Sequence, residues 1–329
     1  MSKSLLSSYP KGFGKGVAIR GMPVLNTYGG DVYWVDSNGG GGGKGTFNHP
    51  CKTFNTAYDL CTTDNGDMVV LKPGHSETIT ATVALDTSAV HVLGLGHGSK
   101  RPKLLWDAAA AADNMFEVTA AGQIMENIWF YDSNTTACSI AQVFIDVQSG
   151  GDDFTMINCR LEQRAATEEA VTVCYGADDL SFISCEFIGT SAPTSSGADS
   201  GIIFEGACNR VKIIDCLFDY TGSTGCDVGN IVFESGTFPS VLIKDCITIG
   251  NANGEEFVQV SSQTAVLNDG LIMHCGGKVT DLTDVIIVSD NFSVIDSYFA
   301  EGDGKFAGAC MPAGTDDLNR WVPAATAAS

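Results

Sequence analysis

The sequence predicts an all-β protein: a right-handed parallel β-helix (a solenoid) with an N-terminal extended arm and a short capping helix. Two observations lead to this fold. Short apolar strings that alternate with period two recur along most of the chain, and most of them carry a cysteine at the same place. The cysteines of successive strings are 26, 31, 30 and 29 residues apart, and a serine follows after 22 more. A repeat of this length, built from short strands, is typical of a solenoid.

Other repeat folds do not fit these strings. A propeller blade needs four strands and about 40–50 residues, and a leucine-rich repeat needs an L-x-x-L-x-L string with a helix. A parallel β-helix remains, in which each copy of the repeat forms one turn and pairs with the next turn. About eight turns at a spacing of ~4.8 Å would give a rod about 40 Å long.

The repeated cysteine predicts a column of small residues at one inward corner of the rod. Cysteine is small, apolar and often buried, so it suits such a corner. The chain has twelve cysteines but no C-x-x-C string, and no histidines lie four residues apart, so we expect no metal site and no cofactor. The predicted column consists of Asn127, Cys159, Cys185, Cys216, Cys246, Cys275 and Ser297.

A second apolar string precedes most copies, and turn-forming residues separate the two. The turns include the pairs Asp152/Asp153 and Asp178/Asp179, which we interpret as turn residues because aspartate bonds to its own backbone in turns. Glu205 and Glu234 end equivalent strands of adjacent turns and are the best carboxylate pair for a glycosidase.

Both ends of the chain differ from the middle. Residues Lys52 to Cys61 predict an amphipathic helix that plugs the N-terminal end of the rod, followed by a strand over Asp67 to Leu71. A solenoid must cap its ends, so we expect the C-terminal residues to cover the last turn. The predicted organisation is an arm over 1–30, a β-helix with its cap over 31–300 and a C-terminal cap or tail over 301–329.

The charge of the chain is unevenly distributed. The net charge is −21, which makes nucleic acid and anionic membranes poor partners. Residues 1–30 carry +4 and no acidic residue, and subtracting them from −21 leaves −25 for the rest. A basic arm on an acidic body suggests a tether to another surface. Its candidate contact residues are Lys3, Lys11, Phe13, Lys15 and Arg20.

No recognisable catalytic motif stands out, so we expect a protein that is not an enzyme. Gly96-His97-Gly98 matches one short string of polygalacturonases, but the other strings of that family are missing. Arg160, Arg164 and Arg210 are candidates for the arginine base of a pectate lyase, yet none stands in a recognisable motif. Met1 to Lys11 has no apolar segment of a secretory signal, so we expect synthesis in a reducing host cytoplasm.

The N-terminal third resembles virion structural proteins of tailed bacteriophages that join a short arm to a pectate-lyase-like right-handed β-helix. The strings that carry this resemblance are Tyr9–Phe13, Arg20–Tyr28, Val32–Ser37, Lys44–Thr46 and Gly66–Thr78.

The resemblance implies a homotrimer that acts in the virion, with two competing roles. One is a capsid decoration or cement protein, bound to the major capsid protein on the outer face of the head shell. The other is a tail fibre or tailspike that binds a glycan receptor, and a polysaccharide lyase or hydrolase is a third possibility. The short chain without an evident carboxylate site favours decoration.

Overall fold

The computed structural model describes the chain in segments. These are residues 17–19, 22–24, 30–39, 43–107, 114–133, 143–163, 172–189, 200–220, 229–249, 256–260, 265–267, 270–279, 286–287, 292–301 and 306–308. Within them the protein is almost entirely β-structure, with one α-helix, α1 (Phe54–Tyr58), and a 3-10 turn at Gly98–Lys100. No helix in these segments is long and apolar enough to cross a membrane.

The strands are short, mostly of three to five residues. In chain order they are β1 Val17–Ile19, β2 Met22–Val24, β3 Val32–Val35, β4 Met68–Leu71, β5 Ser76–Ile79, β6 Val83–Leu85, β7 His91–Gly94, β8 Lys103–Trp106, β9 Phe116–Val118, β10 Ile124–Glu126, β11 Trp129–Asp132, β12 Ile145–Val147, β13 Thr155–Ile157, β14 Arg160–Gln163, β15 Thr172–Cys174, β16 Ser181–Ile183, β17 Glu186–Gly189, β18 Ser200–Phe204, β19 Val211–Ile214, β20 Leu217–Asp219, β21 Gly229–Phe233, β22 Gly236–Phe238, β23 Val241–Lys244, β24 Ile247–Ile249, β25 Glu256–Val260, β26 Ala265–Leu267, β27 Gly270–Met273, β28 Gly276–Val279, β29 Ile286–Ile287, β30 Phe292–Ile295, β31 Tyr298–Glu301 and β32 Phe306–Gly308.

Three long sheets contain most of these strands. The first sheet has the order β3-β4-β7-β10-β13-β16-β19-β23-β27-β30, and the second has β5-β8-β11-β14-β17-β20-β24-β28-β31-β32. The third sheet has eight strands, β6-β9-β12-β15-β18-β21-β25-β29. Each turn of the chain adds one strand to each sheet, and neighbouring strands are parallel, apart from the final β31–β32 pair. The predicted parallel β-helix is confirmed, with eight complete three-strand turns among the described residues.

The interior is a continuous apolar column, because the strands of successive turns pair without slipping. In the first sheet, Met125, Met156, Phe182 and Ile213 are aligned and fully buried. Aromatic rings also stack from turn to turn, as Phe187 does on Phe218, with centroids 4.9 Å apart. Burying such a side chain contributes about 1.5–3 kcal/mol, so every turn stabilises its neighbours.

A sharp corner joins the first sheet to the second in each turn. The repeated string that contains the cysteine is therefore two strands of different sheets, separated by two residues, of which the first has φ between 45° and 57°. This left-handed conformation is tolerated best by Asn and Asp. The corner residues are Asn127, Asn158, Ser184, Asp215, Asp245, His274 and Asp296.

The position of Asn127 in the predicted column is wrong by one residue. Glu126 pairs with Ile157 and Trp129 with Arg160, so Asn127 aligns with Asn158. Ile128, which is fully buried, takes the position of Cys159. Asn127 faces outward instead and donates from Nδ2 to the carbonyl oxygens of Gly94 and Gly96, at 2.7 and 2.8 Å.

The N-terminal plug is a single short helix. It is shorter than the predicted Lys52–Cys61, because the Thr53 side chain caps its start at the Thr56 N–H. Phe54 and Tyr58 on this helix are buried, as the amphipathic pattern predicted. The Phe54 N–H donates to both carboxylate oxygens of Glu77, at 2.8 and 3.0 Å, which ties the helix to the second sheet.

Much of the two terminal segments lies outside the described residues. In the arm, β1 and β2 pair antiparallel. At the other end, β31 reaches Glu301, and β32 pairs with it antiparallel. The boundaries predicted near residues 30 and 300 stay predictions.

Candidate functional site

The corner column places a buried thiol in each of five successive turns. Cys159, Cys185, Cys216, Cys246 and Cys275 are at most 3% exposed, and Ser297 follows in the next turn at 1%. The Sγ atoms of Cys159 and Cys185 lie 3.4 and 3.6 Å from the carbonyl oxygens of Met125 and Met156 in the preceding turn. Burial raises the pKa of both thiols, so they remain protonated donors and poor nucleophiles.

The paired aspartates of the turns connect one turn to the next. Asp152 Oδ1 accepts from the Asp178 N–H at 2.8 Å, and Asp178 Oδ1 accepts from the Asn209 N–H at 2.8 Å. Asp153 and Asp179 both have φ of 59°. These four carboxylates therefore lie at turn positions, as interpreted from the sequence.

Glu205 and Glu234 lie in one column at the end of the third sheet. Phe204 pairs with Phe233, so the two glutamates follow equivalent residues of adjacent turns, and Tyr175 precedes them in the same column. Burial raises the pKa of Glu205, Glu234 adds to the rise, and a hydrogen bond with Tyr175 opposes it. The sequence predicted this proximity.

This carboxylate pair has an unsuitable arrangement for glycoside hydrolysis. An acid and a nucleophile must flank the scissile bond. Side chains one rung apart in a single column of a parallel sheet project from the same face and reach a ligand from one side. The pair can accept hydrogen bonds from a ligand on that face.

Asp146 is a site residue that the sequence did not single out. It is 7% exposed and accepts hydrogen bonds from Asn114 Nδ2 and Gln148 Nε2, both at 2.8 Å. Burial raises the pKa of Asp146 to about 6, and the charges of Glu117 and Glu205 contribute to the rise. An acidic residue inside the otherwise apolar string of β12 was the available signal.

We expect Asp146→Asn to change how stability depends on pH. An acid with a raised native pKa destabilises the folded state when ionised, so its cost is absent below about pH 4 and full above about pH 6. A shift of about two pKa units corresponds to about 3 kcal/mol. Urea unfolding at pH 4.5 and 7.5 should show the variant gaining stability relative to the wild type as the pH rises.

The exposed Asp153→Asn is the control for this measurement, since its carboxyl group lies in water. A difference between Asp146→Asn and the wild type that stays constant from pH 4.5 to 7.5 would contradict the assignment.

Two of the arginines considered as catalytic bases are held by carboxylates. Arg160 contacts Glu162 at 3.0 Å and Glu186 at 3.4 Å. Arg210 forms a two-atom contact with Asp179 in the preceding turn. Arg164 lies outside the described residues. Both described arginines thus stabilise contacts between or within turns.

The arm residues proposed to bind a shell are Lys3, Lys11, Phe13, Lys15 and Arg20, and all of them lie outside the described residues. In the part of the chain that the structure describes, no three His, Cys, Asp or Glu side chains are grouped so that they could hold a metal ion.

Comparison with known proteins bears on the fold. No protein-family model matches the chain, and no curated protein matches it. A solved structure described as pectate lyase Pel9A is similar, with 13% identity and a TM-score of 0.42. The alignment covers 84% of this chain and 79% of that chain. The parallel β-helix of this chain is established by its own strand pairing.

Proposed function

We propose that this chain is a non-catalytic structural protein of a bacteriophage virion, which decorates the outer face of the head shell. The observation that carries the proposal is how the rod uses its polar side chains. Corner asparagines, turn aspartates and the described arginines bond mainly to neighbouring turns. Such a rod suits a structural role that requires stability. The resemblance of residues 5–100 to phage virion proteins supports a place in the virion.

The charge distribution supports an anchor at the N-terminus. The first thirty residues carry +4 while the remaining chain carries the whole negative excess. A basic arm can bind an acidic part of the major capsid protein while the acidic rod points away from it. In the homotrimer that the resemblance implies, three arms would bind together, so weak single contacts add up to stable attachment.

Deletion of residues 1–30 is expected to abolish binding to shells while the rod remains folded. The reason is that the deletion removes the basic segment and leaves the eight turns and the helical plug intact. Co-sedimentation with head shells that lack this protein measures binding, and circular dichroism measures folding.

A variant with Lys3, Lys11, Lys15 and Arg20 replaced by serine is the matched control, since it keeps the arm length. We expect it to lose most of its binding, and we expect wild-type binding to weaken at high salt while the residual binding of the variant changes little. Undiminished binding of a folded deletion variant would overturn the proposed anchor.

One observation favours the alternative of a receptor-binding tail fibre. Trp129 and Tyr131 lie on the outer face of the second sheet with ring centroids 5.9 Å apart, and aromatic rings are common contact groups in binding sites. Lys103 lies over both rings and Arg160 lies over Trp129, so a ligand would have to displace these cations.

Enzymatic activity is separated from both binding roles by a reducing-sugar assay on host capsule and on pectin. The wild type is expected to release no sugar above the level of Glu205→Gln and Glu234→Gln. Release that these variants abolish would make the protein a polysaccharide-degrading enzyme.

A further inference from the structure

We propose that the outer face of the first sheet is a self-association surface, on which a second copy of this chain binds antiparallel about a two-fold axis. The face presents two columns of outward side chains. The leading column contains His91, Ile124, Thr155, Ser181, Lys212, Leu242, Leu271 and Ser293. The trailing column contains Leu93, Glu126, Ile157, Ile183, Ile214, Lys244, Met273 and Ile295.

The trailing column is mainly apolar although it faces outward. Ile157, Ile183 and Ile214 follow one another in three successive turns and are partly exposed, and Ile295 is 45% exposed. Their neighbours within each strand, such as Phe182, fill the interior, so these isoleucines are not needed for the core. A row of apolar side chains on a regular sheet face marks an interaction surface.

Charge complementarity identifies the second copy as the occupant. Glu126 and Lys244 lie two turns before and two turns after Ile183 in the trailing column. A two-fold axis along β16 would place Glu126 of each copy opposite Lys244 of the other. Both side chains reach solvent, at 36% and 38% exposed, beside their local contacts with His91 and Asp245.

The same axis also matches the centre of the face. It brings Ile157 against Ile214, and Ile183 against itself. In the leading column it brings Ile124 against Leu242 and Thr155 against Lys212, and Ser181 meets itself. Apolar residues thus meet apolar ones, and polar residues meet polar ones, at these central positions. At the edge of the overlap Leu93 meets Met273 and His91 meets Leu271. Self-complementarity of this kind is what an isologous two-fold interface requires.

The corner beside the trailing column supports the antiparallel direction independently. Its early turns are neutral or basic, since Arg101 bonds to Asn127 and Asn158. Its later turns carry Asp215 and Asp245. Antiparallel pairing places Asp215 near Asn158 and Arg101 of the other copy. A parallel assembly on this face, including a parallel trimer, would instead place Asp215 and Asp245 of one copy beside the same residues of the next.

The size of the face predicts a weak dimer. Eight rungs at ~4.8 Å and a strand length of about 10 Å give a face of about 380 Å² on each copy. This is below the ~800 Å² per partner of a standard stable interface. We therefore expect association in the micromolar range, which requires measurement over a wide range of concentrations.

The first test is sedimentation velocity of the full chain from about 1 to 300 μM at low salt. The wild type should show reversible, concentration-dependent association that doubles the mass of its smallest species. Glu126→Lys and Lys244→Glu should each weaken the dimer about ten-fold, because two opposed pairs become like-charged. The combined variant should return to within about three-fold of the wild type.

The second test is disulfide cross-linking between single-cysteine additions. A mixture of Ile157→Cys and Ile214→Cys chains should cross-link, and each variant alone should stay at the wild-type background. Both side chains face outward, so folding should be retained, which circular dichroism checks. A mass that stays the same at every concentration, a combined variant no better than the single ones, or cross-linking of each variant with itself would overturn the proposal. Shell binding by the arm is measured separately and does not depend on this contact.

Discussion

Phe187→Ala is expected to lower the free energy of unfolding by about 3–5 kcal/mol. Phe187 is fully buried and stacks on Phe218 with an interplanar angle of 6°, while Phe182 lies 6.5 Å away. Removing the ring leaves a cavity between two turns and breaks the aromatic stack. Because each turn is held by its two neighbours, the defect weakens the middle of the rod.

Equilibrium denaturation in urea measures this effect. Phe47→Ala is the matched control, since Phe47 is 53% exposed and should cost less than about 1 kcal/mol. Equal losses in the two variants would contradict the proposed interior position of Phe187.

Asp67→Asn is expected to cost about 2–4 kcal/mol. The Asp67 carboxylate is fully buried and accepts from the Asp31 N–H and the Thr62 N–H, both at 2.6 Å, and from Asn65 Nδ2 at 2.7 Å. Asparagine keeps only one of the two acceptor oxygens of Asp67 and has an NH₂ donor in place of the other. That NH₂ group would then face an N–H donor. The result would be local opening of the N-terminal cap.

Hydrogen exchange of residues 31–71, combined with denaturation, would localise this loss. The control is Asp64→Asn, because Asp64 is exposed and asparagine also tolerates its φ of 57°. Unchanged protection of the cap in Asp67→Asn would show that the three hydrogen bonds do not hold it together.

The strand repeat could be predicted because each turn buries the same positions. The cysteine column fixed the period, and the strings before it identified the strands of the third sheet, such as β12 and β15. Stacking requires similar residues at equivalent positions of successive turns. The interior of a repeating fold is therefore visible as a repeat in the sequence. The alternation of Phe182 with its outward neighbours Ser181 and Ile183 is an example.

The predicted column is wrong at one corner residue, Asn127. An Asn, Asp, Ser or His stands directly before each buried corner residue, and these residue types include those that tolerate the left-handed conformation. Asn127 belongs to that series, and reading the series would have placed Ile128 in the buried column. His75 and Glu77 belong to no sequence motif apart from the resemblance, yet Glu77 holds the helix start.

The environment of Asp146 could not be predicted, because it depends on residues brought together from separate turns. Asn114 lies 32 residues away in the sequence, and Glu205 contributes from two turns further on. The charge match of Glu126 with Lys244 has the same origin, since it becomes visible only when the register of each strand is known.

Immunogold electron microscopy of intact virions, with antibody raised against the purified rod, tests the proposed role most directly. A decoration protein predicts gold spread over the head, and reduced labelling of virions assembled with the chain that lacks residues 1–30. Gold confined to the tail would contradict decoration of the head and would favour the receptor-binding fibre.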